Sequence, residues 1–186
     1  MDRLTSLYIG LIRGQIGGFI AFPDGQYTLL EAMGRKINIY SGSFDPLHDG
    51  HRSVFDAIKG TKYFEISTTR RDKEFIELDD LERRIKQFEW YAPIIVLNAP
   101  KYIDKLKSLG KKKIIFHIGI DTAKRMIEDH SIKWIETLPT SFVIYDRIID
   151  GTLRGLRNIR NKPKNFIEGM TPDKKYLHVN STELRK

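Results

Sequence analysis

The chain contains no cysteine, which excludes disulfides, thiolate-bound zinc, iron–sulfur clusters and a thiol nucleophile together. It also lacks long apolar runs: its hydrophobic stretches are strand-sized, well short of the roughly 20 residues that span a bilayer. Residues 7–12 are apolar near the start, but Asp2, Arg13 and the following glycines do not fit a signal peptide. The expected compartment is therefore the cytoplasm, with no membrane partner. Internal repeats and low-complexity tracts are missing as well. What is present is enough for one core: 186 residues, 40% hydrophobic, with ten Phe, eight Tyr and two Trp. Charged residues make up 30% and the net charge is +8. Residues 151–186 alone carry +6, with nine basic and three acidic residues. A basic excess in one segment suggests a phosphate-bearing partner, or simply a solvated loop.

Periodicity orders the chain. Residues 1–13 have helical spacing of Leu4, Leu7, Tyr8, Leu11 and Ile12. Residues 16–22 and 27–30 flank the turn signal Pro23-Asp24-Gly25 and predict a hairpin. From residue 36 onward, strands alternate with helices. Strands are expected at 36–41, 62–69, 93–97, 113–120 and 141–147. Helices are expected at 49–59, 78–88, 102–109, 122–129 and 132–137. This alternation means βαβ units, hence an α/β, doubly wound, Rossmann-like parallel sheet of about five strands. The helix and hairpin of residues 1–34 form an extension outside that sheet, available for contacts between copies of the chain. Residues 35–186 form the main domain. Residues 150–175, polar and basic with Gly, Pro and Asn, read as a long loop before a short strand at 176–179.

In such sheets ligands sit beyond the carboxyl ends of the strands. The Lys111-Lys112-Lys113 run falls on the opposite rim and reads as a solvated strand entry. The strongest feature is Ser41-Gly42-Ser43-Phe44-Asp45-Pro46-Leu47-His48-Asp49-Gly50-His51, directly after the first parallel strand. Gly42 lets the backbone approach a ligand, and Ser43 and Phe44 offer main-chain N–H groups. His48 and His51 bracket a helix N-terminus, whose free N–H groups and dipole favour anions, and Gly50 keeps that entry open. Two imidazoles there form a donor cluster for a phosphoryl group. The plainer alternative is a capped helix with two incidental histidines among the chain's five.

These residues, Gly42 to His51, resemble the signature loop of the nucleotidyltransferase superfamily with its His-x-Gly-His motif. That superfamily includes nicotinamide- and nicotinate-mononucleotide adenylyltransferases, pantetheine-phosphate adenylyltransferase and the cytidylyltransferases. Val179-Asn180-Ser181-Thr182-Glu183-Leu184-Arg185 resembles its second signature, with Asn180 in place of a serine. Phe116-His117-Ile118-Gly119-Ile120-Asp121-Thr122 resembles the Gly-x-Asp segment that holds the ATP ribose; alone, Asp121 could equally cap a helix. His117 lacks a partner histidine and lies within a strand, so it is expected to be structural. Phe64-Glu65-Ile66-Ser67, Asp72-Lys73 and Ala99-Pro100-Lys101-Tyr102-Ile103-Asp104-Lys105 are similar to one branch, in which such a domain follows a competence-damage-inducible-type domain.

The resemblance implies an enzyme that transfers an adenylyl group from ATP, with Mg²⁺ on the triphosphate, to nicotinamide or nicotinate mononucleotide. His48, His51 and Arg185 would be catalytic. Gly42, Ser43, Phe44, Gly50, Gly119, Asp121, Ser181 and Thr182 would bind ATP, and Lys73 the acceptor's phosphate. No protein metal ligand is expected. Two alternatives stay open: transfer to another phosphorylated acceptor such as phosphopantetheine or glycerol phosphate, or a non-catalytic nucleotide- or nucleic-acid-binding module. The basic 154–175 stretch has few aromatics to stack bases, so no specific nucleic acid is expected.

Overall fold

The computed structural model describes residues 2–69, 74–149 and 152–171, together with 175 and 177. Helix α1 (Arg3–Ile12) opens on Asp2, whose carboxylate accepts from the Thr5 backbone N–H at 2.9 Å. Strands β1 (Gly18–Ala21) and β2 (Tyr27–Leu29) form the hairpin. Then come β3 (Lys36–Ser41), α2 (Asp49–Ala57), β4 (Lys62–Ser67), α3 (Leu78–Lys86), β5 (Ile94–Leu97), α4 (Tyr102–Leu109) and β6 (Lys113–Gly119). They are followed by α5 (Ile120–Asp129), α6 (Ile132–Glu136), β7 (Ser141–Tyr145), β8 (Arg147–Ile149), β9 (Thr152–Arg154) and β10 (Phe166–Gly169). Charge favours α3 directly: Asp79 and Asp80 sit in its first turn and Arg83, Arg84 and Lys86 in its last, each opposing the helix dipole.

Eight strands form one sheet in the order β10-β7-β6-β3-β4-β5-β1-β2, parallel from β10 to β5 and antiparallel beyond. The α/β doubly wound fold is as expected, but the sheet is larger than about five strands. The hairpin does not stand outside it. Residues 18–21 are buried throughout, as a strand covered on both faces must be. Glycine permits the approach, since a Cβ at Gly18 would lie 2.5 Å from Leu97 Cδ2 and 2.7 Å from the Val96 carbonyl oxygen. At the other edge, part of the expected 150–175 loop is ordered as β9 and β10. Strand β10 shows only two adjacent apolar residues, Phe166 and Ile167, so its pairing with β7 left no periodic signal. The strand expected at 141–147 ends at Tyr145, and Arg147 starts a separate ribbon with β9. The strand expected at 176–179 lies, except for Leu177, outside the described residues.

Alternating side chains divide the sheet into two covered faces. Ile37, Ile39, Ile114, Phe116, Ile118, Phe142 and Ile144 pack with Leu109, Ala123, Met126 and Ile135 from α4 to α6. Tyr40, Phe64, Ile66, Ile94 and Val96 pack with Leu4, Leu11, Val54, Phe55, Leu81 and Ile85 from α1 to α3. His117 sits on the second face as a bridge. Asn38 donates its amide N–H groups to the Lys59 and Thr61 carbonyls, so its oxygen faces His117 Nε2–H at 3.1 Å; Tyr145 O–H then donates to Nδ1 at 2.9 Å. Burial holds this imidazole at a pKa of about 4, consistent with a neutral structural link across three strands. Among the described residues, no helix is long and apolar enough to cross a membrane.

Candidate active site

The loop from Gly42 to His48 joins β3 to α2 at the carboxyl rim. Gly42 N–H continues the ladder by donating to the Glu65 carbonyl at 3.1 Å. Phe44 then turns back with φ of 45°, its ring buried beside Phe64 and edge-on to His51 at 4.9 Å. A Cβ on Gly42 would stand 2.8 Å from that ring, so glycine is needed here for packing as well as for ligand approach. Helix α2 is capped by the histidines themselves. His51 N–H donates to His48 Nδ1, and His48 N–H donates to His51 Nδ1, each at 3.4 Å, and the rings stack with centroids 3.6 Å apart.

This reciprocal cap decides the chemistry of the pair. With both Nδ1 atoms accepting, the proton of each neutral ring resides on Nε2, leaving two N–H donors at one helix N-terminus. Burial keeps the rings neutral. It lowers His48 to about 4, helped by the Arg147 charge and opposed by Asp49, and lowers His51 to about 3, helped by His48 and Arg147.

The loop is clamped from α3 by groups that the sequence did not single out. Arg84 donates to the Ser43 carbonyl and to Asp45, both at 3.1 Å, and its side chain is only 6% exposed. Arg83 reaches the other Asp45 oxygen at 2.6 Å, and Asp80 braces both arginines. Gln87 donates to the Phe44 carbonyl at 3.1 Å and accepts from Leu47 N–H at 2.7 Å. In the sequence this helix shows only a strongly charged outer face.

Beside the loop lies a cleft of about 800 Å³. Gly42 and Ser43 line it, with Glu65 and Ser67 of β4, Tyr102 and Lys105 of α4, and Thr122 and Arg125 of α5. His130 and Trp134 stack at its margin with centroids 4.0 Å apart. On its floor Lys105 and Glu65 pair at 2.5 Å, and Ser41 Oγ donates to Glu65 at 2.6 Å. The lining includes none of His48, His51 and Asp121, so the cleft adjoins the His48–His51 cap rather than containing it.

No protein-family model matches the sequence, and no curated protein matches it. Several solved chains are similar, two of them complexes of a single enzyme. One is the Plasmodium falciparum nicotinic acid mononucleotide adenylyltransferase complexed with NaAD, at 20% identity, TM-score 0.60, covering 82% of this chain and 83% of that one. The other is the same enzyme complexed with APC, at 19% identity and TM-score 0.56 with the same coverage. This likeness establishes the fold.

On that fold, the remaining expected residues fall as follows. Gly50 is buried in the first turn of α2, and Gly119 caps α5 with open space where a side chain would be. Asp121 does not cap: it lies in the first turn of α5 and pairs with Arg147 at 2.8 Å. Lys73, Ser181, Thr182 and Arg185 lie outside the described residues.

Proposed function

We propose that the protein is a cytoplasmic adenylyltransferase that joins ATP to nicotinamide or nicotinate mononucleotide, forming the dinucleotide and releasing pyrophosphate. The observation that carries this reading is the reciprocal histidine cap, two neutral imidazoles with free Nε2–H donors at a helix N-terminus on the ligand-binding rim. The mononucleotide adenylyltransferases with the same fold support it, as does the adjoining cleft, large enough for a nucleotide. The sequence resemblance further assigns the chain to the branch associated with a competence-damage-inducible-type domain.

The acceptor's phosphate oxygen attacks the α-phosphorus of ATP; a P–O bond forms there as the bond to pyrophosphate breaks. A phosphate is already anionic at neutral pH, so no protein nucleophile is required, and positioning with charge stabilisation does the work. His48 and His51 donate to phosphoryl oxygens as charge develops. Gly42, Ser43, Phe44 and Gly50 form the cradle, and Gly119 and Asp121 receive the ribose. Ser181, Thr182 and Arg185 hold the departing phosphates, and Lys73 the acceptor phosphate. Mg²⁺ bound with ATP would neutralise charge on the triphosphate and would need no protein ligand. The described residues contain no group of three or more His, Asp or Glu placed to bind a metal.

A pyrophosphate-release screen tests the reading: ATP and CTP, each against nicotinamide mononucleotide, nicotinate mononucleotide, phosphopantetheine and glycerol phosphate. Turnover confined to ATP with a pyridine mononucleotide is expected. Release only with CTP or with the other acceptors would overturn it.

A further inference from the structure

Asp121 and Arg147 are 26 positions apart and come from different strand ends, yet Arg147 Nη1 lies 2.8 Å from Asp121 Oδ2. Neither is buried: the Arg147 side chain is 32% exposed and that of Asp121 38%. An exposed ion pair contributes little to stability, so holding two strand ends together is a poor explanation for it. Its position is more informative. Arg147 follows β7 by two residues, and Tyr145 at the end of β7 lies 6.2 Å, ring to ring, from Tyr40, itself 6.1 Å from the His51 ring. The guanidinium is close enough to depress both His48 and His51. Among the described residues, Arg84 is committed to Asp45, Asp80 and Ser43, and Lys105 to Glu65.

We propose that Asp121 and Arg147 act as one unit in which the carboxylate receives the adenosine ribose and also holds the Arg147 guanidinium towards the histidine cap, where it contacts the phosphate chain of ATP. This rests on the adenylyl-transfer reading and adds to it a catalytic arginine from the β7 end. The chemistry suits the geometry. Guanidinium is always charged and offers paired N–H donors to phosphate oxygens. A carboxylate uses one oxygen for the arginine and keeps the other for ribose hydroxyls. Two neutral imidazoles supply hydrogen bonds without charge, and Arg147 adds positive charge beside them.

Binding separates this proposal from the reading beneath it. Calorimetric titration of the full-length protein with adenosine and with α,β-methylene-ATP needs no turnover. Arg147→Gln is expected to weaken the triphosphate analogue about tenfold or more while leaving adenosine within about twofold. Asp121→Asn should weaken both. For the analogue, the double variant should lose clearly less than the two single losses combined, because the sites are coupled. NMR titration of Arg147→Gln should show the His48 and His51 pKa values moving up once the neighbouring cation is gone. Unchanged affinity for the analogue, an equal loss of adenosine, additive losses in the double variant, or unmoved histidines would each overturn the proposal. A protein that passes these binding tests but releases no pyrophosphate in the screen would instead overturn the adenylyl-transfer reading.

Discussion

The two sides of the candidate site are held by different physics. On the β3–α2 side, the Gly42–His51 loop is fixed by many partly buried contacts, within the loop, to β4 and to α3, with Asp45 held by two arginines. On the β6–β7 side, Asp121 and Arg147 meet through one partly exposed ion pair between distant parts of the chain. Preorganisation is thus concentrated where phosphoryl charge would develop. The opposite side is left adjustable, as suits a pair that must take up a ligand while staying joined.

Breaking the rigid side should have the largest effect. Arg84→Met removes the donor to the Ser43 carbonyl and a buried cationic partner of the mostly buried Asp45. Removing one partner of a buried pair exposes the cost of the other, so a loss of about 3 kcal/mol is expected from denaturant midpoints. Arg147→Gln, measured alongside, should cost under about 1 kcal/mol. Equal losses would erase the contrast between the two sides.

The next effect is on the reaction itself. His51→Ala removes one Nε2–H donor and half of the reciprocal cap, and turnover in the pyrophosphate assay should fall at least about a hundredfold. Binding of α,β-methylene-ATP should change far less, because backbone N–H groups share the ground-state contacts. Near-normal turnover would remove the histidine cap from the chemistry.

The same contrast explains what could be read from the sequence. Strand β3 and helix α4 lie at the expected residues, and the histidine pair was visible because its partners are three residues apart. Its tautomers were not, since they follow from two backbone bonds. Arg84, Gln87 and the Asp121–Arg147 pair depend on which helix or strand end comes to rest beside the loop, and 26 to 43 residues separate the partners. The hairpin's place in the sheet was misjudged for a related reason. The turn signal is local, but a run buried on both faces does not name its neighbour strand. Likewise β10, four residues long with little periodicity, becomes a strand only because β7 offers it an edge.

A pH titration distinguishes burial from charge as the cause of histidine neutrality. His48, His51 and His117 have pKa values of about 4, 3 and 4, against 6.5 for a free imidazole, with burial the leading cause for all three. Between pH 7.5 and 5.5 the unfolded chain therefore binds protons that the folded protein does not, and stability must fall as the solution is acidified through the ordinary histidine range. The window stays above the usual carboxylate range, so histidines dominate it. The denaturant midpoint should drop by an amount worth about 1.4 kcal/mol for each of the three histidines, or roughly 4 kcal/mol together, and it should be fully recovered at pH 7.5. Throughout, NMR should show His48 and His51 neutral, with the proton on Nε2. Protonating either Nδ1 would break the cap, because that atom accepts the partner's backbone N–H. Removing Arg147 should raise both values while leaving them below 6.5, since burial persists. If Arg147→Gln instead restores an ordinary imidazole pKa, charge and not burial keeps the pair neutral, and the adjustable side of the site governs the rigid one.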